Sequence, residues 1–147
     1  MHIKVHDTYR TLLNSPDCTG DVAWLSQVPM IMLTGAARAY VYAIHSARRG
    51  KIESARSHLV VADGLAEEEE RPYVTYLRSI LEFLTEHAAQ AVAYALEAEE
   101  EARALSDWDL LADILAHLAE MHRAAGNMAE VRRYEAEADR LHSGKKE

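Results

Sequence analysis

Apolar residues between Pro29 and Leu141 recur every three or four positions, as on the buried face of a helix. Strand-like alternation of apolar and polar residues is absent. Good helix formers (Ala, Glu, Leu and Arg) dominate, and only five Gly or Pro residues lie between these two positions. Five breaks divide the stretch into six predicted helices: Arg49-Gly50-Lys51, Arg71-Pro72, Glu86-His87-Ala88, Leu105-Ser106-Asp107 and Ala125-Gly126-Asn127.

The connections between these helices are short, and short connections fold neighbouring helices back on each other. The sequence therefore predicts an all-α fold of three antiparallel hairpins. Their ranges are 29–49/51–69, 72–86/88–105 and 107–125/127–142. We expect one domain over residues 1–147, with an N-terminal capping segment at 1–28 and a disordered tail at 143–147.

The middle hairpin could instead be a single helix. No Gly or Pro lies between Tyr73 and Leu105, so this stretch could instead form one continuous helix of roughly 50 Å. In the capping segment, Trp24, Leu25 and Val28 are expected to cover the exposed end of the first hairpin, because terminal helices of a stacked fold need a cap.

A repeat is visible in the turn positions. Gly50 and Gly126 lie 76 residues apart and the turn near Ala88 falls midway, which indicates a period of about 38 residues. Matching positions in the second helices are Ala55, Leu59, Ala62; Ala91, Ala95, Ala98; and Val131, Glu135, Ala138. Matching positions in the first helices, all predicted to be buried, are Leu77, Ile80, Leu81, Leu84; Leu115, Leu118, Ala119, His122; and Ala39, Tyr42, Ala43, Ser46.

This pattern resembles the tetratricopeptide repeat, in the degenerate long form of helical-repeat regions in bacterial transcriptional activators and other signalling proteins. The resemblance covers about residues 30–142. It implies a right-handed superhelix whose first helices line a concave groove for a peptide or a partner helix. It also implies a non-catalytic interaction module in a signalling or transcription-regulation system.

The same resemblance implies which residues face the groove. These are Ala37, Tyr40, Ile44, Ala47; Thr75, Arg78, Glu82, Thr85; and Asp113, Ala116, Glu120, Arg123. We expect Tyr40 and Ile44 to be an exposed apolar anchor for the partner. The predicted charged contacts that orient the partner are Arg78, Glu82, Glu120 and Arg123.

The last predicted helix has no following repeat to cover it. Its apolar stripe consists of Val131, Tyr134, Ala138 and Leu141. A homodimer through this stripe is therefore a second expectation.

Composition limits the partners. Sixteen Lys and Arg against 24 Asp and Glu give a formal net charge of −8, so we expect no direct binding to nucleic acid. The single Cys18 is typical of a reducing compartment. Residues 1–7 lack the apolar core of a signal peptide, and the longest apolar run, Val28–Leu33, is too short for a bilayer. We therefore expect a cytoplasmic protein without membrane insertion.

His117 offers an alternative function. One helical face carries Asp113, His117 and Glu120, and Glu82 could approach it from the neighbouring hairpin. Carboxylate-rich bundles that bind two metal ions use ligands of this kind. The Glu-x-x-His pairs of such bundles are absent from this sequence. The run Leu115-Ala116-His117-Leu118 is also similar to the phosphoaccepting site of lactose-type IIA phosphocarriers. The principal interpretation has no catalytic residue, no metal and no cofactor, because no nucleophile cluster or phosphate loop is present.

Two further sets of residues have structural interpretations. We expect the acidic run Glu67–Glu70 to end its helix and stay solvated, because negative charge is unfavourable at a helix C-terminus. Tyr73, Tyr76 and Phe83 are predicted to be packing residues.

Overall fold

A computed structural model describes residues 34–144, of which 84% lie in helices. The six helices are α1 (Gly35–Arg48), α2 (Ile52–Leu65), α3 (Arg71–Leu84), α4 (Ala88–Ala104), α5 (Trp108–Ala124) and α6 (Met128–Gly144). Residues 34–144 contain no strand. The prediction of an all-α fold is confirmed.

The chain divides into two compact units, with the boundary between Val74 and Thr75 inside α3. The first unit contains α1, α2 and the start of α3. The second contains the rest of α3 and α4–α6. The sequence predicts one domain for the same chain.

In the first unit, α1 and α2 form an antiparallel hairpin. The Ser46 and Ser54 hydroxyl oxygens lie 3.2 Å apart near the turn. At the other end of the hairpin, the Leu65 side chain packs against Gly35. A Cβ atom added to Gly35 would lie only 3.1 Å from Cδ1 of Leu65. A contact at each end shows that the two helices run alongside each other over most of their length.

The second unit contains two further hairpins. Ser79 of α3 donates a hydrogen bond of 2.6 Å to the Ala91 carbonyl of α4. The rings of His122 and Tyr134 stack at 5.5 Å between α5 and α6. Helix α4 also packs against α5.

Four turns have the same construction, in which one residue adopts the left-handed conformation and two hydrogen bonds close the preceding helix. The left-handed residues are Gly50 (φ 77°), Glu86 (φ 65°), Ser106 (φ 57°) and Gly126 (φ 82°). The residue after each one donates its N–H to the carbonyl five positions earlier: Lys51 to Ser46, His87 to Glu82, Asp107 to Ala102 and Asn127 to His122. Residues 73–105 are therefore two helices, and Glu86 makes the turn without a glycine.

Several predicted helix ends are wrong by a few residues. Helix α1 begins at Gly35, because the Thr34 hydroxyl accepts the N–H of Ala37 at 3.0 Å and caps the helix. Helix α2 ends at Leu65, because Ala66 is extended. Helix α6 continues to Gly144, two residues beyond the predicted end of the last helix at 142. Residues 145–147 of the predicted tail lie outside the described part.

The acidic run is solvated only in part. Glu67, Glu68 and Glu69 are exposed as predicted, but Glu70 is only 1% exposed. Its carboxylate accepts the Thr34 hydroxyl proton and the N–H of Glu67, the latter at 2.9 Å. The prediction of solvation is wrong for Glu70, because these two donors hold its carboxylate against the start of α1.

The second-helix repeat positions are buried with one exception, Glu135, which is exposed. Among the first-helix positions, Tyr42 and Leu84 are exposed, at 46% and 68%, so their predicted burial is wrong. Leu84 is the last residue of α3, beyond the part of the helix that its neighbours cover. Tyr73 and Tyr76 are buried and Phe83 is half-buried, which agrees with a packing role.

The predicted cap residues Trp24, Leu25 and Val28 lie outside the described residues, as does Cys18. Within residues 34–144, every helix is too short or too polar to cross a membrane.

Candidate functional site

The predicted apolar anchor is not on the surface. Tyr40 is 0% exposed and Ile44 is 2% exposed, so the expectation that they form an exposed anchor is wrong. The reason lies in α1, where eight of 14 residues are buried. A helix that is apolar around most of its circumference is buried on more than one side. Ala37, predicted to face the groove, is buried for the same reason.

In the second unit, α3 and α5 lie side by side. The Tyr76 hydroxyl oxygen is 3.5 Å from the Asp113 carbonyl oxygen, and the Ser79 hydroxyl oxygen is 3.0 Å from Nε2 of His117. The sequence separations of these contacts are 37 and 38 residues. Two contacts of nearly equal separation place the helices parallel and in one register.

The predicted groove positions in the second unit differ in their exposure to solvent. Thr75 is buried, so its predicted place on the groove surface is wrong. Half-buried positions are Arg78, Glu82, Thr85 and Asp113. Exposed positions are Ala116, Glu120 and Arg123, all on α5. We call these three the α5 stripe.

Ion pairs fix the charged side chains of the α5 stripe. Arg123 forms a salt bridge with Glu135 of α6 and lies 3.9 Å from Glu120. The hydrogen bond to Glu135 raises the pKa of Arg123 above its usual value. Pairs between exposed side chains are weak because water and salt screen them, so a partner's charges can replace them at small cost.

The predicted charges on α3 also have partners within the unit. The Arg78 guanidinium carbon lies 5.3 Å from the centre of the Tyr94 ring, a cation–π distance. Glu82 lies 3.0 Å from Nδ1 of His87. Both contacts join α3 to the start or middle of α4 and hold these side chains in place.

A groove between α5 and α6 adjoins the stripe. Its volume is about 420 Å³. The residues that line it are Ala116, Glu120, Glu135, Ala138, Asp139 and His142. Sequence reasoning missed the contribution of α6. The signal was the spacing of Glu135, Asp139 and His142 at i, i+4 and i+7, which places all three on one helical face.

The side chain of His117, a residue of α5, packs against α3. Its ring meets the rings of Tyr76 and Phe83 edge-on, at 5.5 and 5.9 Å. Ser79 is fully buried and donates its proton to the Ala91 carbonyl, so its oxygen accepts the proton carried by Nε2 of His117. Burial lowers the pKa of His117 to about 4, which leaves the ring neutral at pH 7.

This geometry bears on the alternative functions of His117. Nε2 already donates to Ser79, so phosphorylation or metal binding at that nitrogen requires this contact to break. In the part of the chain from 34 to 144, no three His, Cys, Asp or Glu side chains are grouped so that they could hold a metal ion.

The stripe predicted to mediate a homodimer is used inside the second unit. Val131, Tyr134 and Ala138 are buried and Leu141 is half-buried. The expectation that this stripe is left uncovered is wrong, because α6 has one apolar side and packs it against α5.

Comparison of the chain with protein-family models, with curated proteins and with solved structures finds no match. The resemblance to tetratricopeptide repeats therefore stays a prediction from the residues.

Proposed function

We propose that this chain is a non-catalytic interaction module that binds a peptide or helix of a partner protein along the α5 stripe. The observation that carries the proposal is the parallel placement of α3 and α5, with contacts at separations of 37 and 38 residues. Stacking of successive first helices creates extended binding surfaces in helical-repeat proteins. By resemblance to such proteins, the module belongs to a cytoplasmic regulatory or signalling system.

Helix α5 gives the stripe a rigid support. Leu111, Leu115 and Leu118 on its other faces are fully buried, so the helix is held by packing along its length. Binding groups on a packed helix are positioned more precisely than groups on a loop. Ala116 has a short side chain, which leaves room for a large apolar side chain of a partner.

The chemistry of the groove defines the partner. Glu120, Glu135 and Asp139 supply three carboxylates, while Ala116 and Ala138 supply apolar surface. The chain as a whole carries a formal charge of −8. A segment with Lys or Arg on one face and apolar residues on the other is complementary to this surface. Charge complementarity of this kind acts mainly on association rate and specificity.

A pull-down from the native cytoplasm tests the proposal with two charge-reversal variants. Glu120→Lys/Arg123→Glu changes the stripe, whereas Glu97→Lys/Arg132→Glu makes the same exchange at exposed positions of α4 and α6. We expect the stripe variant to retain partners at least about fivefold less well, and the control to retain them as wild type does. Circular dichroism checks that both variants are folded. Equal retention by the stripe variant and wild type contradicts the proposal.

A further inference from the structure

The turn between α1 and α2 carries a group of positive charges in a chain whose formal net charge is −8. Residues 34–52 contain four Arg or Lys and no Asp or Glu. Arg48, Arg49 and Lys51 lie at this turn and are all exposed. We call these three residues the basic turn. The next acidic residue, Glu53, already forms an ion pair within α2.

The backbone of the turn fixes the positions of these cations. Gly50 adopts the left-handed conformation (φ 77°), and the N–H of Lys51 donates to the Ser46 carbonyl at 2.9 Å. Arg48 is the last residue of α1, and Lys51 directly precedes α2. Among the described residues, no atom lies within 4 Å of where a Cβ would stand at Gly50. A partner can therefore approach the turn closely.

The stability of the two helices accounts for only part of this charge. A cation at a helix C-terminus is favourable, which explains Arg48 at the end of α1. Lys51 is the N-cap residue of α2, where a positive charge is unfavourable and Ser, Thr, Asp or Asn is preferred. The start of α2 accordingly has no side-chain capping hydrogen bond. Lysine at this position costs the helix stability, which indicates a role outside the helix.

His45 lies next to the basic turn and is affected by its charge. Its Nε2 atom lies 3.3 Å from a guanidinium nitrogen of Arg49. Burial lowers the pKa of His45, and the positive charges of Arg49 and Lys51 lower it further. A carboxylate bound at the turn offsets these charges and raises the pKa of His45 again. The ring is therefore a reporter of anion binding at this turn.

We propose that the basic turn binds an acidic segment of a partner protein, with the partner's carboxylates against Arg48, Arg49 and Lys51. The three cations lie so close together in the chain that they match a few carboxylates and not an extended polyanion. The net charge of −8 repels nucleic acid and anionic membranes, whereas a short acidic segment meets the chain only at this turn. The inference concerns the first unit and is independent of the α5 stripe, whose proposed partner carries the opposite charge.

Binding of a labelled polyglutamate peptide to the full chain, read by fluorescence anisotropy, tests the inference. Wild type should bind this peptide at least about tenfold more tightly than a polyglutamine peptide of equal length, and added salt should weaken the binding. Arg49→Gln/Lys51→Gln should weaken it at least about fivefold. Arg132→Gln/Arg140→Gln removes the same charge from exposed positions of α6 and should change it less than about twofold. Circular dichroism checks that both variants are folded.

Nuclear magnetic resonance of the wild-type chain gives a test that does not depend on the folding of a variant. Saturating polyglutamate should shift the amide signals of Arg48–Lys51 and raise the pKa of His45. Shifts confined to other residues, or an unchanged pKa of His45, overturn the inference. Failure of polyglutamate to bind, or equal binding by wild type and the turn variant, also overturns it. Tighter binding of single-stranded DNA or of anionic phospholipid vesicles than of polyglutamate, lost in the turn variant, makes a polyanion the ligand and equally overturns it.

Discussion

His117 and Ser79 form a polar contact between α3 and α5. Ser79 is fully buried, and the His117 ring lies between Tyr76 and Phe83. Buried polar groups are stabilising when they are hydrogen-bonded and costly when they are not. The contact therefore fixes the register of the two helices as well as joining them.

The folded protein should lose stability in acid because of His117. Its pKa is about 4 in the folded state and near 6.5 in the unfolded chain, so the unfolded state takes up the proton first. The stabilisation is complete above pH 6.5, and about 3 kcal/mol is lost on acidification to pH 4. Urea denaturation across this range should show that loss in wild type but not in His117→Gln, which keeps a donor for Ser79. Parallel curves for the two proteins would refute the assignment.

Burial at single residues was the least predictable feature of the sequence. Tyr40 was expected on the surface and Glu70 in solvent, yet both are buried. Glu70 depends on a hydrogen bond with Thr34, 36 residues away. Ser79 and His117 are 38 residues apart. Contacts of this kind arise from the packing of whole helices, so local sequence patterns do not contain them.

At the scale of the helices, four turns with one construction divide the chain. Two of them place glycine at the left-handed residue, and the other two place Glu86 and Ser106 there. A left-handed conformation costs a residue other than glycine about 1–2 kcal/mol. These two turns therefore hold their shape through their hydrogen bonds and the packing of the adjoining helices.

Glycine at these positions should stabilise the protein. Both Glu86 and Ser106 are exposed, so little packing is lost on substitution. We expect Glu86→Gly and Ser106→Gly each to raise the free energy of unfolding by about 1 kcal/mol, measured by urea denaturation. Ala125→Gly is the matched control at a right-handed position, and it should lower stability. A destabilising effect of both turn variants would contradict the role given to the left-handed residues.

The helices themselves were largely predictable, because their turns carry local signals. Gly50, Gly126 and Pro72 mark three of the five breaks. The turn at Glu86 has no glycine. For this reason the sequence does not decide whether residues 73–105 form one helix or two. The orientation of α1 was not predictable in the same way, since its apolar residues extend around most of the helix.

At the scale of the whole molecule, the second unit carries the surface that we propose for binding. Of the predicted partner-binding residues, Glu120 and Arg123 are exposed there, and Arg78 and Glu82 are half-buried. The sequence could identify these positions by their spacing. The spacing of Glu135, Asp139 and His142 places them on one face of α6, but that this face lines the groove depends on how the last hairpin closes.

Site-specific photo-crosslinking in cells tests the central claim most directly. A crosslinking amino acid is placed at Ala116 on the α5 stripe or at Ala136 on α6, both exposed alanines of the same hairpin. We predict a discrete crosslinked partner from position 116 at a yield at least about fivefold above that from position 136. Equal yields from the two positions, or a partner captured from position 136 alone, would contradict binding along the α5 stripe.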